Sequence, residues 1–229
     1  MIISTTTIIT GAVVVLLAIL GSLINPFLRS LRFQKTETAE NQPPVSILIT
    51  AHDNLAELER NLPMFLRQQY AADYQVIVVC QSTDGETQDF LKRIAAENPH
   101  LYYTYIPESS RYMSRKKLQI TLGVKAAKHE WIILTEPNCR PSNDKWLQTM
   151  ARQCQDPNHL VLGYVALDEE TNSVRRFDSI RKAYYVLRRA QQTYGYRSHM
   201  PNVAFRKSDF MKEQGYQGNL EYVRGEYDF

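Results

Sequence analysis

The apolar positions of this chain fall into two regimes. From Ile8 to Leu28 the sequence IITGAVVVLLAILGSLINPFL is almost continuously apolar, and no charged side chain appears before Arg29. Such a run is long enough to cross a hydrocarbon layer roughly 30 Å thick as a helix. It has no basic leader and exceeds the roughly 7 to 15 apolar residues of a cleaved signal peptide, so residues 1–32 are expected to form a single-pass membrane anchor. Arg29, Arg32 and Lys35 follow the run and nothing basic precedes it. That asymmetry predicts an inner (plasma) membrane protein with its C-terminal bulk in the cytoplasm. Residues 33–44, FQKTETAENQPP, are polar, aperiodic and closed by two prolines, and read as a linker.

From Val45 onward short apolar runs alternate with stretches of helical period. VSILIT (Val45 to Thr50), YQVIVVC (Tyr74 to Cys80), LYYTYI (Leu101 to Ile106) and WIILT (Trp131 to Thr135) read as buried strands. Between them Leu55, Leu58, Leu62, Phe65 and Leu66 recur at helical spacing, and helices are predicted over about 87–98 and 116–128. Repeated βα units of this kind predict an α/β domain over residues 45–229, with a mainly parallel sheet covered by helices on both faces.

Composition narrows the classes. At 229 residues the chain holds one sizeable core plus an appendage, and a net charge of +3 gives no argument for nucleic acid as a partner. Cys80, Cys139 and Cys154 are odd in number and fit no metal spacing, which suits a reducing compartment. Neither GxGxxG nor a P-loop occurs, which argues against dinucleotide redox enzymes and phosphate-cradling ATPases. A serine elbow and a zinc-spaced His pair are also missing.

Candidate chemistry lies at the strand ends. Ligands of parallel α/β sheets bind outside the carboxyl edge, where this chain places TAHDN (Thr50 to Asn54), CQSTDGET (Cys80 to Thr87) and Glu136-Pro137-Asn138. Two oxygen-bearing side chains one residue apart, Glu136 and Asn138, suit a hard cation or a sugar hydroxyl. An ordinary strand-to-loop turn accounts for the same residues. Arg115, Lys116 and Lys117 stand near the amino end of a predicted helix, where they suit a diphosphate or form a solvated basic face. His52 reads as a turn histidine more readily than as a base.

These stretches occur in register with MPNVAFRK (Met200 to Lys207) and RGEYDF (Arg224 to Phe229). Together they resemble the family 2 glycosyltransferases with the GT-A fold. Members of that family show a PAYNE-like strand end, DDGSTDGT, a basic segment with Lys, a DxD motif, GxNxAxR and a final ED. The resemblance covers Val45 to Phe229. It implies transfer of a sugar from a nucleotide-sugar donor to an acceptor hydroxyl, most simply with inversion, in glycan or cell-envelope polysaccharide synthesis. By the same resemblance, Thr50, Ala51, His52, Gln81 and Asp84 hold the nucleotide sugar and Lys116 or Lys117 its phosphates. Glu136 and Asn138 hold a divalent cation, Mg or Mn. Asp228 is the base with Glu226 as the alternate, and Asn202 faces the acceptor, a lipid-linked or glycan chain. Family members continue past the acidic motif, so the domain is expected to be incomplete at its C-terminal end.

The departures define a second reading. Cys80-Gln81 stands where the family has an Asp pair, Glu136-Pro137-Asn138 replaces DxD, and Tyr227 takes the usual position of the base. A membrane-tethered, degenerate glycosyltransferase acting as a non-catalytic binding or scaffold protein fits these changes. A sugar-nucleotide pyrophosphorylase would need a Gly-rich loop that TAHDN does not supply. A helix expected from about 174 to 196 carries Phe177, Ile180, Tyr184 and Leu187 on one face, with Arg175, Arg181, Lys182, Arg188 and Arg189 elsewhere. It reads either as a packed helix with a basic outer side, or as a helix near an anionic membrane that presents a lipid-linked acceptor.

Overall fold

The structure, a computed structural model, describes residues 4–24, 31, 42–108, 114–192, 195, 197–198, 200–219, 222 and 225–227. The chain divides into two units, residues 1–34 and 35–229. In the first, helix α1 (Thr5–Ile24) is 20 residues long, about 30 Å at 1.5 Å per residue. Residues 5–23 have a mean hydropathy of 2.3 and are wholly exposed, so length and composition suit a membrane span. The expected span shares residues 8–24 with this helix. Residues 25–28, Arg29, Arg32, Lys35 and most of the expected linker lie outside the described residues.

The second unit runs β1 (Val45–Thr50), α2 (Leu55–Leu66), β2 (Tyr74–Gln81), α3 (Gly85–Glu97), β3 (Leu101–Ile106), α4 (Arg115–Ala126) and β4 (Trp131–Thr135). It continues with α5 (Trp146–Ala151), β5 (Leu160–Leu162), α6 (Ser173–Gln192), β6 (Val203–Arg206), α7 (Lys207–Lys212) and a 3-10 turn at Gln217–Asn219. The six strands form one sheet in the order β3-β2-β1-β4-β6-β5. The first four are parallel, with Ile47 opposite both Val76 and Ile133, while β6 runs antiparallel to β4 and β5. The expected α/β class, mainly parallel sheet and flanking helices are all present. The predicted elements did not include β5, β6, α5 or α7.

Side chains alternate across the central strands, and each face has its own cover. Ile47, Ile49, Val76, Val78 and Ile133 pack with Leu58, Leu62 and Phe65 of α2, Leu91 of α3 and Leu147 of α5. Leu48, Ile77, Val79, Ile132 and Leu134 pack with Ile120 and Val124 of α4, Phe210 of α7 and Tyr216. All six residues of β1 are buried, which explains why four of them, Val45, Ile47, Leu48 and Ile49, are apolar. Cys80 and Cys154 are free and buried.

The chain leaves β1 in one direction to build β2 and β3, then crosses back under α4 to lay β4 on the other side of β1. Strand order therefore reverses between β1 and β4, and a crevice opens outside their carboxyl ends. The crossing brings α4 close to the sheet. A Cβ at Gly123 would stand 2.2 Å from Leu48 Cδ1, and Leu48 is fully buried with no room to retreat. Gly123→Ala is expected to lower stability by about 1–3 kcal/mol through overpacking, read as a shift of the urea midpoint.

Candidate active site

Three strand ends meet at the reversal. Thr50 closes β1, Gln81 closes β2, and Glu136-Pro137-Asn138 follows β4. With His52, Asn54, Ser114, Arg115, Lys116 and Gln119 they line a cleft of about 410 Å³. The Thr50 hydroxyl is buried and has no protein partner among the described residues.

Each wall is held by polar contacts to the chain beneath. Buried Gln119 on α4 donates through Nε2 to the carbonyls of Ala51 at 2.6 Å and Val79 at 2.9 Å, tying the helix to the ends of β1 and β2. Asn61, on the buried side of α2, donates to the Pro137 carbonyl at 2.8 Å and so fixes the turn after β4. Gln81 bridges the two sides of the cleft. Its Nε2 donates to His52 Nδ1 and its Oε1 accepts from Arg115 Nη1, which leaves the imidazole proton on Nε2, 3.6 Å from the Asp53 carboxylate.

A charged cluster forms the far wall. Glu136 Oε1 accepts from the Lys116 ammonium and, at 2.6 Å, from the Tyr227 hydroxyl. Lys116 Nζ also lies 3.5 Å from Glu226 Oε1 and 4.8 Å from the centre of the Tyr227 ring. Burial, then the neighbouring Glu136 carboxylate, holds the Tyr227 phenol protonated far above its ordinary range. The segment bearing Glu226 and Tyr227 is pinned from three sides. Lys117 Nζ donates to the Tyr222 carbonyl at 2.7 Å, Tyr216 Oη to the Glu226 carbonyl at 2.6 Å, and Ser198 N to the Tyr227 carbonyl at 3.0 Å.

Of the residues expected at the site, Thr50, His52, Gln81, Lys116, Glu136 and Asn138 line the cleft. Glu226 joins through Lys116. The others stand elsewhere. Ala51 is buried and contributes backbone. Asp84 caps α3, its Oδ1 accepting from Thr87 N at 3.1 Å. Lys117 is fully buried over the Tyr216 ring and reaches the C-terminal segment, not the cleft. Asn202 is buried at the start of β6, donating to the Tyr164 carbonyl at 3.4 Å. Asp228 lies outside the described residues. Asn61, Gln119 and the anchoring hydroxyl of Tyr216 were not foreseen. Asn61 and Gln119 were marked only as polar positions where helical periodicity calls for apolar ones.

The profile of glycosyl transferase family 21 matches residues 10–188. The chain belongs to glycosyl transferase family 21. Among curated proteins nothing matches significantly. Solved structures with the same fold include the mannosyltransferase PcManGT from Pyrobaculum calidifontis in complex with GDP-Man and Mn2+. That match has a TM-score of 0.59 and 18% identity, over 79% of this chain and 49% of that one. S. aureus TarS 1-349 in complex with UDP-GlcNAc matches with a TM-score of 0.51 and 11% identity, over 75% and 47% of the two chains. This chain thus spans about half the length of those proteins. The resemblance to GT-A glycosyltransferases holds at the level of fold.

A family 21 site of this fold raises the question of a divalent cation, since the archaeal mannosyltransferase is in complex with Mn2+. The residues present do not form a cage for one. Among the described residues no three His, Cys, Asp or Glu side chains come together for a metal. Asn138 is exposed, with its Oδ1 3.5 Å from the Cys139 thiol, and Glu136 is turned onto Lys116 and Tyr227. Mg²⁺ and Mn²⁺ favour carboxylate oxygens, of which this turn offers one.

The geometry depends on Gln119. Gln119→Leu leaves the Ala51 carbonyl without its side-chain partner and is expected to cost about 1–3 kcal/mol in chemical unfolding. Hydrogen exchange should quicken at the ends of β1 and β2 before the rest of the sheet.

Proposed function

We propose that this family 21 member binds a nucleotide sugar in the cleft at the strand reversal and transfers the sugar to an acceptor hydroxyl with inversion. The observation that carries this reading is the convergence of Thr50, Gln81, Arg115, Lys116 and Glu136 on one cleft outside the carboxyl ends of β1, β2 and β4. Thr50 and the His52–Gln81–Arg115 chain face the nucleoside, and the basic side chains at the start of α4 face the diphosphate. Asp228, the expected base, lies outside the described residues, and its alternate Glu226, which joins the cleft through Lys116, acts as base in this reading. It takes the proton as the acceptor oxygen bonds to the anomeric carbon, while the bond from that carbon to the diphosphate breaks and its electron pair leaves with the nucleoside diphosphate. The residues at Glu136 do not fit a metal, so no step is routed through one.

The acceptor belongs to glycan or cell-envelope synthesis and is carried on a lipid. Two features support this. Helix α1 suits an anchor in the inner (plasma) membrane, with the catalytic unit in the cytoplasm. Helix α6 exposes Val174, Phe177 and Ile180 beside Arg175, Arg176, Arg181 and Lys182, a mixed apolar and basic surface that suits an anionic bilayer.

The degenerate, non-catalytic reading is favoured by one observation, the Tyr227 hydroxyl donated to Glu136 where the family has its base. One assay separates the two. The full chain in detergent is incubated with a panel of UDP- and GDP-sugars, and released nucleoside diphosphate is measured. Slow donor hydrolysis is expected, with Glu226→Gln lowering it about 10²- to 10⁴-fold. Donor binding without release would establish the scaffold reading, and neither binding nor release would overturn both.

The acceptor side has its own test. Phe177→Ser with Ile180→Ser is expected to change stability by no more than about 0.5 kcal/mol, because both side chains are exposed. Transfer to a vesicle-borne acceptor should fall while release of nucleotide to water is unchanged.

A further inference from the structure

The Glu136 cluster already contains a cation, and it is covalently part of the chain. Lys116 Nζ is paired with Glu136 Oε1 and stands 3.5 Å from Glu226 Oε1, so two carboxylates hold an ammonium as two carboxylates elsewhere hold a metal ion. The three side chains are each roughly three-quarters buried, which limits screening by water. Tyr227 closes the back of the cluster with its hydroxyl on Glu136 and its ring 4.8 Å from Nζ. Glu136 accepts one of the three N–H donors of the ammonium, and Glu226 is an ion-pair partner at 3.5 Å. Lys116 lines the cleft next to Arg115. Charges balance without an ion, because Glu136 and Glu226 are matched by Lys116 and Arg115.

We propose that Lys116 replaces the divalent cation, so that this site binds the diphosphate of a nucleoside diphosphate independently of metal. The inference rests on the nucleotide-sugar reading above and adds the identity of its cation. It explains why the second position of the DxD-like turn has become the neutral, exposed Asn138, which a lysine-held site has no use for. It also separates two adjacent basic residues. Lys117 donates to the Tyr222 carbonyl beneath the acidic segment and is fully buried, so it positions that segment and does not face the ligand.

The test uses the full chain in detergent and calorimetric titration with UDP and GDP, in excess EDTA and in millimolar Mn²⁺. One of the two nucleotides is expected to bind with affinities within about threefold in the two buffers. Lys116→Gln should weaken that binding tenfold or more in both, about 1.4 kcal/mol, and Lys116→Arg should recover part of it. Lys116→Gln combined with Asn138→Asp, which rebuilds a two-carboxylate turn, should regain affinity in Mn²⁺ but not in EDTA. Each variant is first checked for an unchanged melting temperature. Parent binding that tightens tenfold or more with Mn²⁺, or that survives Lys116→Gln in a folded protein, overturns the inference and leaves the nucleotide-sugar reading standing. No binding of either nucleotide in either buffer overturns that reading, and this inference with it.

Discussion

Strand β1 is buried along its whole length between two parallel neighbours, and much of the domain follows from that constraint. A strand covered on both faces is mostly apolar on both, so Val45, Ile47 and Ile49 need α2 on one side while Leu48 needs α4 on the other, and only Ser46 and Thr50 near the strand's two ends are polar. Parallel neighbours cannot be joined by hairpins, so each connection must carry a helix across the sheet. Helices alternate with strands for that reason, and strand ends of like polarity gather along one edge. The direction in which the chain leaves β1 then decides where that edge opens. Strand β2 lies to one side and β4 to the other, and the loops after β1 and β4 separate there to form the cleft.

The same constraint shows why polar residues appear inside helices that otherwise follow an apolar period. Backbone carbonyls at the strand ends and in the turns beyond them can take further donors: that of Val79 accepts from Ala51 N at 2.9 Å and keeps a second lone pair, and that of Pro137 lies past the end of β4. Gln119 and Asn61 reach in from α4 and α2 to supply them. The floor of the cleft is thereby hydrogen-bonded to both helical layers.

The four parallel strands were legible because each is a short run rich in apolar, β-branched or aromatic residues; β1, β2 and β4 are buried throughout, and the edge strand β3 exposes Tyr102 and Tyr105. Strands β5 and β6 were not, since three and four residues of mixed burial carry too little pattern to stand out from a loop. At the site, most residues that end or follow strands were legible, and so was the basic start of α4, but not which of its two lysines faces the cleft. Lys116 and Lys117 differ by one position, which on a helix is a turn of about 100°. That rotation sends one ammonium into the cleft and the other under the C-terminal segment. Asp84 was read as a ligand because it follows a strand, but a carboxylate just before a helix is equally suited to cap its free N–H groups, and that is where its Oδ1 goes.

Charge at the far wall links these departures from the family pattern. Gln81, Asn138 and Tyr227 are uncharged side chains at the cleft and its far wall, at positions where the family resemblance implies aspartates. A neutral Gln81 turns its amide to His52 and Arg115 at once, donating to one and accepting from the other, and adds no negative charge to the cleft. Tyr227 can stand against Glu136 because its phenol stays protonated, whereas a second carboxylate at that position would repel the first or demand a counter-ion between them. The three substitutions are mutually consistent with the proposal that Lys116 takes the place of a divalent cation: each puts an uncharged side chain where the family resemblance implies a carboxylate that would call for one.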